Sequence, residues 1–147
     1  MYNINMKGVV VMKKIFSLLT CGLLVLSLGG CSITKDKKAL KQAMENEIEN
    51  YDEVGIPKDE YKIYIQGKTL IIEQHESAEN FYGWKIYGLN VNDLADITSQ
   101  HSGVIKECIR MYGGSEKCHV KIIYKDFNTN EEFIVVQDGE IIYSYLD

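Results

Sequence analysis

Two cysteines and three histidines are the side chains beyond residue 31 that could bind a metal ion, catalyse a reaction or form a disulfide. They are Cys108 and Cys118, and His75, His101 and His119. Zinc sites usually show ligands in close pairs, such as two cysteines separated by two residues, and this stretch has no such pair. The spacing therefore predicts no metal site, and no motif for a bound cofactor is present.

The same residues are poorly placed for thiol catalysis. A nucleophilic thiol needs its base within hydrogen-bond distance. Cys118 and His119 are neighbours in a stretch with strand-like alternation, so their side chains should point to opposite faces. His101 precedes Cys108 by seven residues, which corresponds to about 10 Å along a helix. We therefore predict that the protein is not an enzyme.

The start of the chain indicates the compartment in which these cysteines reside. Lys13 and Lys14 precede an apolar run of 14 residues, 15–28, which is followed by Gly29 and Gly30. A charged start, a short apolar run and small residues are typical of a secretory signal peptide. The run is shorter than a transmembrane helix, which needs about 20 residues.

The end of this run, Leu28-Gly29-Gly30-Cys31, resembles the lipobox of bacterial lipoproteins. In that family the signal peptide is cleaved before the cysteine, and the cysteine carries the lipid. The resemblance implies that residues 1–30 are a lipoprotein signal peptide and that Cys31 is the lipidated, palmitate-bearing first residue of the mature chain. It also implies a protein anchored by lipid to the extracytoplasmic face of the cell membrane, since acyl chains anchor a chain without a spanning helix.

The composition of the mature chain limits its partners. Removing residues 1–30 removes Lys7, Lys13 and Lys14 from the 16 basic residues, which leaves 13 against 21 acidic residues and a net charge of −8. Nucleic-acid binding needs a basic face that neutralises phosphates, so this balance argues against it. The remaining length is that of one small domain.

Residues 31–59 are predicted to form the lipidated N-terminus, an amphipathic helix and a linker. Leu40, Met44, Ile48 and Tyr51 recur at helical spacings. Exposed positions begin with four lysines, Lys35, Lys37, Lys38 and Lys41, and continue with acids. This order opposes the helix dipole but suits lysines beside anionic head groups of a membrane. A solvated helix face without lipid contact is an equally good interpretation.

Residues 60–147 have the pattern of an α+β domain. Alternating residues predict a hairpin around Gly67, and a second hairpin around Asp138-Gly139 ends a run of three strands. Between them, a helix is expected to end at Gly113-Gly114. We predict an antiparallel sheet of β-hairpins packed by one main helix, with the N-terminal helix after the lipid anchor.

The cysteines fall on the apolar faces of two successive elements. The apolar stripe of the main helix is expected to contain Leu94, Ile97, His101, Val104, Ile105, Cys108 and Tyr112. The apolar face of the next strand is expected to contain Cys118, Val120, Ile122 and Tyr124. Because export favours oxidation, we predict a disulfide between Cys108 and Cys118, with two packed thiols as the alternative.

A cluster of aromatic residues precedes the main helix. Its members are Phe81, Tyr82, Trp84 and Tyr87. Such a cluster is a candidate binding surface for a protein or peptide, because aromatic side chains are enriched at interfaces. The alternative is a hydrophobic edge of the core, since large apolar residues are usually packed.

The body of the chain resembles the small uncharacterised lipoproteins of Gram-positive bacteria in its hairpin at 67–71 and its closing strands at 120–144. The final strands also resemble PepSY and cystatin-like domains, which bind or inhibit proteases. We therefore expect a membrane-anchored, non-catalytic binding or structural module. Its alternatives are a cell-surface inhibitor or immunity-like protein, and a thiol-dependent enzyme that uses Cys108, Cys118 or His101.

Overall fold

The structure is a computed structural model that describes residues 32–76 and 91–144. It contains two helices and five strands in these ranges. They are α1 (Ser32–Val54), β1 (Tyr61–Gln66), β2 (Thr69–Glu76), α2 (Val91–Met111), β3 (His119–Asp126), β4 (Glu132–Gln137) and β5 (Glu140–Ser144). The predicted α+β class is confirmed.

The five strands form one sheet in the order β1-β2-β3-β4-β5. Three of the four neighbouring pairs are antiparallel, as expected from the hairpins. The central pair differs, because β2 and β3 run parallel in register from Thr69 opposite His119 to Glu76 opposite Asp126. Parallel neighbours need a crossover connection, and α2 lies within that connection.

The register brings several chain turns to one end of the sheet. Gln66 lies beside Thr69, Thr69 lies beside His119, and Gln137 lies beside Glu140. Helix α1 begins at this same end, because its first turns contact the β1–β2 turn through Asp36. The start of α1, the β1–β2 and β4–β5 turns and the start of β3 therefore share one end of the domain.

Helix α1 buries one face against the rest of the domain. Ala39, Leu40, Ala43 and Tyr51 are all nearly inaccessible to solvent. The helix ends at Gly55, where the amides of Gly55 and Ile56 donate to the carbonyl oxygens of Asp52 and Tyr51. This pair of bonds is a Schellman cap, and the positive φ of Gly55 (78°) is the conformation that the cap requires.

Helix α2 is rotated relative to the predicted apolar stripe. Its core-facing line contains Thr98, Ser102, Ile105 and Ile109, whereas the predicted Ile97 is 36% exposed. The polar residues on this line are satisfied locally, since the Thr98 hydroxyl donates to the Leu94 carbonyl oxygen at 2.6 Å. The apolar pattern of the sequence did not predict this face because Thr98 and Ser102 are polar. A buried hydroxyl that has a hydrogen-bond partner costs little folding free energy, so both can face the core.

Small residues let the β4–β5 turn approach α2 closely. The Gly139 amide donates to the Ser102 hydroxyl at 2.8 Å, and the Ser99 hydroxyl donates to the Gly139 carbonyl oxygen. A Cβ built on Gly103 would lie 3.5 Å from the Gly139 Cα, which is ordinary contact. The rotation of α2 is therefore coupled to the position of this turn.

The two glycines that end α2 have different roles. The amides of Gly113 and Gly114 donate to the carbonyl oxygens of Arg110 and Ile109, which again is a Schellman cap. Gly113 supplies the positive φ of 89°. Gly114 supplies space, because a Cβ there would lie 2.6 Å from Ile109 Cγ2 and 3.2 Å from Ala39 Cβ.

The main core lies between the sheet and the two helices. The predicted inward face of β3 is confirmed, since Cys118, Val120, Ile122 and Tyr124 are all buried there. A smaller cluster on the opposite face contains Ile71, Ile123 and Val135. The edge strand β5 is largely exposed, including Ile141, Ile142 and Tyr143.

Candidate functional site

The predicted lipidation site and the predicted aromatic surface lie outside the described residues. These are Cys31, and Phe81, Tyr82, Trp84 and Tyr87. Their described neighbours are informative. Helix α1 begins at Ser32, the residue after Cys31, whereas the aromatic segment is flanked by the end of β2 at Glu76 and the start of α2 at Val91.

Cys108 and Cys118 are both thiols in this structure, and their disulfide stays a prediction. Cys118, the residue before β3, is fully buried in the core, whereas Cys108 is half-buried on α2. The rotation of α2 described above turns Ile105 and Ile109, rather than Cys108, toward the centre of the core.

The Cys118 thiol is unsuited to act as a nucleophile. Burial raises its pKa above the ordinary value, and a hydrogen bond to the Asp36 carboxylate raises it further. Because the thiolate is the reactive form, a raised pKa and a fully buried side chain both lower its reactivity. Its role in the described contacts is to pack and to donate to Asp36.

Asp36 connects three chain segments at the end where α1 begins. Its carboxylate accepts bonds from the Lys68 ammonium at 2.6 Å and from the Ser115 amide and hydroxyl at 2.8 and 3.0 Å. The Lys68 and Ser115 hydrogen bonds hold the pKa of Asp36 well below its usual range. The carboxylate thus fixes the β1–β2 turn and the α2–β3 loop against the first turns of α1.

The surface around this connection is basic, and we call it the basic end. It contains six exposed lysines from three segments: Lys35, Lys37, Lys38, Lys41, Lys68 and Lys117. Two of these lysines are paired with acids, Lys68 with Asp36 and Lys41 with Glu45. The exposed acids at this end are Glu107 and Glu116, which both pair with Arg110, and Glu140 of the β4–β5 turn. The exposed lysines therefore outnumber the exposed acids here.

The opposite end of the domain is acidic, and we call it the acidic end. It contains nine exposed acids from the end of α1, the α1–β1 loop, the start of α2 and the β3–β4 turn: Glu49, Asp52, Glu53, Asp59, Glu60, Asp93, Asp96, Glu131 and Glu132. An open depression of about 530 Å³ there is lined by four of the α1 acids and Ile48. Acids therefore predominate at one end of the described domain and lysines at the other.

A histidine–carboxylate pair lies beside the basic end. The Asp138 carboxylate accepts from His119 Nδ1 at 2.5 Å, from Lys106 Nζ at 3.0 Å and from the Val120 amide at 2.8 Å. Burial raises the pKa of Asp138, but these bonds outweigh it and the pKa lies below its ordinary value. The His119 side chain is 41% exposed, and within the described ranges no hydroxyl or thiol is hydrogen-bonded to its Nε2.

A second histidine–acid pair joins the two helices in the interior. His101 Nε2 lies 3.2 Å from Glu47 Oε2, and both side chains are about nine-tenths buried. The angles at this contact fall outside hydrogen-bond geometry, so it is an electrostatic contact only. Neither group reaches the surface, which assigns the pair to helix packing.

The outer face of the sheet carries a polar cluster flanked by aromatic rings. Glu73 accepts from the Tyr64 hydroxyl at 2.7 Å and from Lys125 Nζ at 3.2 Å. Burial raises the pKa of Glu73, but these two bonds bring it below its ordinary value. His75 contacts the exposed Phe127 edge-on, with ring centroids 6.3 Å apart.

Neither a metal-binding cluster nor a membrane-spanning helix is found in the described part of the chain. No group of three or more histidine, cysteine or acidic side chains there could hold a metal ion. Among the described helices, none is both long and apolar enough to cross a bilayer. The clusters that are present can form ion pairs and hydrogen bonds, and their polar groups are mostly saturated by one another.

Sequence reasoning missed the residues that organise these clusters. Asp36 and Glu47 lie on the same helical line as Leu40, Ala43 and Tyr51, so an acid on an apolar stripe was a readable sign of burial. Their partners could not be read from the sequence. Ser115 is 79 residues from Asp36, and that contact depends on the whole fold.

No protein-family model, curated protein or solved structure matches this chain.

Proposed function

We propose that this protein is a lipid-anchored, extracytoplasmic binding module without catalytic activity. Its acyl chains would be attached to Cys31, and its partner would be a protein or peptide. The observation that carries the proposal is that α1 begins at Ser32 and is buried in the core from Asp36 onward. A lipid on Cys31 would therefore be attached to one end of a packed domain rather than to a long flexible tether.

The fold separates the residue that follows Cys31 from the two described residues that flank the aromatic segment. The eight residues of β2 span about 26 Å, and the 21 residues of α2 span about 30 Å. Both elements run between the end where α1 begins and the residues that flank the aromatic segment, Glu76 and Val91. The two flanking residues therefore lie about 30 Å from the end of the domain where α1 begins.

Exposed aromatic side chains near this end support binding. Phe127 is 47% exposed, and its amide donates at 2.8 Å to the carbonyl oxygen of Glu76, the last described residue before the aromatic segment. Tyr64 is a second partly exposed ring on the outer face of the sheet, but it lies nearer the β1–β2 turn at the other end. Aromatic residues are enriched in the cores of protein interfaces, whereas the surrounding acids of the acidic end favour a basic partner.

The proposal includes an inhibitor or immunity-like protein as one kind of binding module. A thiol-dependent enzyme is disfavoured by the buried Cys118, whose pKa is raised. His101, the other residue considered for that chemistry, faces Glu47 in the interior.

The anchor is tested by replacing Cys31 with serine in the full chain and expressing it in a Gram-positive host with an alkyne-tagged fatty acid. We expect the wild-type chain to carry the tag and to sediment with membranes, and Cys31→Ser to lose the tag. Cys21→Ser is the matched control, because Cys21 lies within the apolar run and should not be acylated. Equal labelling of Cys31→Ser and wild type would contradict the lipid anchor.

The binding surface is tested by photo-crosslinking in intact cells. A benzophenone amino acid replaces Tyr82 in the aromatic segment or, as the control, Met111, which is 59% exposed at the end of α2 near the anchor. We expect a discrete protein adduct from position 82 that Trp84→Ala abolishes, and none from position 111. Adducts of equal yield at both positions would count against the aromatic surface.

A further inference from the structure

We infer that the basic end binds anionic phospholipid head groups, so that the domain stands upright on the membrane with its acidic end outward. The inference rests on the proposed lipid anchor and adds a second, electrostatic attachment to it. It goes beyond the helical lysines alone, because the structure adds two further segments to the same surface.

The geometry places three segments at one level. Lys35 and Lys41 are separated by six residues of α1, which is about 9 Å along the helix axis. The Asp36 carboxylate holds Lys68 of the β1–β2 turn and Ser115 of the loop that contains Lys117 against these same turns. The six lysines therefore lie at one end of the domain instead of being distributed over the molecule.

The range of electrostatic forces fits this surface. The Debye length at physiological ionic strength is about 8 Å. Lys35, Lys37 and Lys38 lie within about 9 Å of Ser32 along the helix axis, so they would be the first to feel a head-group layer that Cys31 reaches. Each lysine near an anionic membrane strengthens attachment roughly fivefold. The acyl anchor supplies the proximity, so that even modest attraction determines the orientation of the domain.

A lipid surface explains the charge distribution better than an acidic protein partner does. The mature chain is acidic overall, so an anionic membrane would repel it in most orientations. With the basic end toward the membrane, the lysines are attracted to the anionic head groups. In the same orientation Glu53, Asp93 and the other acids of the acidic end lie farthest from the membrane. The residue next to Cys31 also begins the helix that carries four of the six lysines.

Lysine footprinting of the full lipidated chain in vesicles tests the inference. The chain is reconstituted in phosphatidylcholine with or without phosphatidylglycerol, treated briefly with an acetylating ester, and analysed by mass spectrometry. We expect acetylation of Lys37, Lys38 and Lys41 to be slowed roughly fivefold or more by phosphatidylglycerol, and the protection to be lost at high salt. Lys58 and Lys62 are internal controls, because they are exposed near the acidic end and should react equally in both vesicles.

Charge reversal provides the matched variants. Lys37→Glu with Lys38→Glu should abolish the protection of Lys41, whereas Lys58→Glu with Lys62→Glu should preserve it. Circular dichroism confirms that each variant is folded, which is expected because all four positions are exposed. Equal acetylation rates in the two kinds of vesicle would overturn the inference, as would protection that persists unchanged at high salt.

The outcomes separate this inference from the proposed function. Fatty-acid labelling of Cys31 reports the anchor, whereas footprinting reports docking of the basic end. A labelled chain whose lysines ignore phosphatidylglycerol would leave the anchor standing and refute the docking. An unlabelled chain whose lysines are protected by phosphatidylglycerol would refute the anchor and support the docking.

Discussion

Asp138→Asn should destabilise the domain by removing one charge from the junction of β3, α2 and the β4–β5 turn. The substitution preserves side-chain shape, and asparagine tolerates the positive φ of 53° found at this position. The new amide oxygen can still accept from the Val120 amide. Its NH₂ group, however, would face the Lys106 ammonium and the Nδ1–H of His119, which are both donors.

The magnitude follows from the two bonds that are lost. Lys106 is only 13% exposed, so its charged hydrogen bond to Asp138 is worth about 1.5 kcal/mol. His119 is 41% exposed, so solvent screening limits its contribution to roughly 0.5 kcal/mol. The total is about 2 kcal/mol, and a domain of this size loses about 5 °C in Tm for each kcal/mol. We therefore expect a fall in Tm of about 10 °C.

Thermal unfolding of the mature chain, followed by circular dichroism, measures this effect. Asp59→Asn is the matched control, because it makes the same change of charge at an exposed turn residue. If the Tm values of the two variants lie within about 2 °C of each other, the predicted contribution of Asp138 to stability is refuted. Even about 1 kcal/mol would give a larger difference.

The cost of Asp138→Asn should also depend on pH. The folded-state pKa of Asp138 lies below its ordinary value of 3.8, so its carboxylate stabilises the fold above that value. The contribution is lost as the pH falls through the folded-state pKa. We therefore expect a constant difference between wild type and variant near pH 5, by linkage, and a shrinking difference in more acidic buffer. A stability difference between wild type and variant that grows as the pH falls would contradict this prediction.

Three further outcomes test local packing. Gly114→Ala should cost about 1–3 kcal/mol in urea unfolding, because its Cβ would lie 2.6 Å from Ile109 Cγ2. Gly103→Ala should instead be neutral or stabilise by up to about 1 kcal/mol, since its Cβ meets only ordinary contacts inside a helix. If both substitutions lowered the free energy of unfolding, the described packing would be contradicted. In the reduced native chain, iodoacetamide should modify the half-buried Cys108 faster than the buried Cys118, as peptide mass mapping would show, and the reverse order would contradict the described burial.

Local features of the fold were predictable because their causes are local. The helix stop at Gly113-Gly114 depends on hydrogen bonds within six residues, and the turns at Gly67 and Asp138-Gly139 depend on backbone conformations that glycine favours. The inward face of β3 followed from strict alternation. Each of these could be read from a short window of sequence.

Non-local features were not predictable from such windows. The parallel pairing of β2 with β3 depends on where α2 packs, and hairpin signals say nothing about it. The rotation of α2 depends on Gly139 approaching Ser102, a contact between residues 37 positions apart. Charged partners such as Asp36 and Ser115 require both segments to be positioned first. The aromatic segment and Cys31 lie outside the described residues, so those predictions remain to be tested.

The parallel join at the centre of the sheet has a consequence for the order in which the chain can fold. The first paired residues of β2 and β3, Thr69 and His119, are separated by 50 positions, whereas every other strand pair closes a short turn. The β1–β2 hairpin can therefore form early, but it acquires its inner neighbour only after α2 and β3 have been synthesised. Until then Asp36 also lacks Ser115. A chain truncated before His119 should accordingly behave as an unfolded polypeptide.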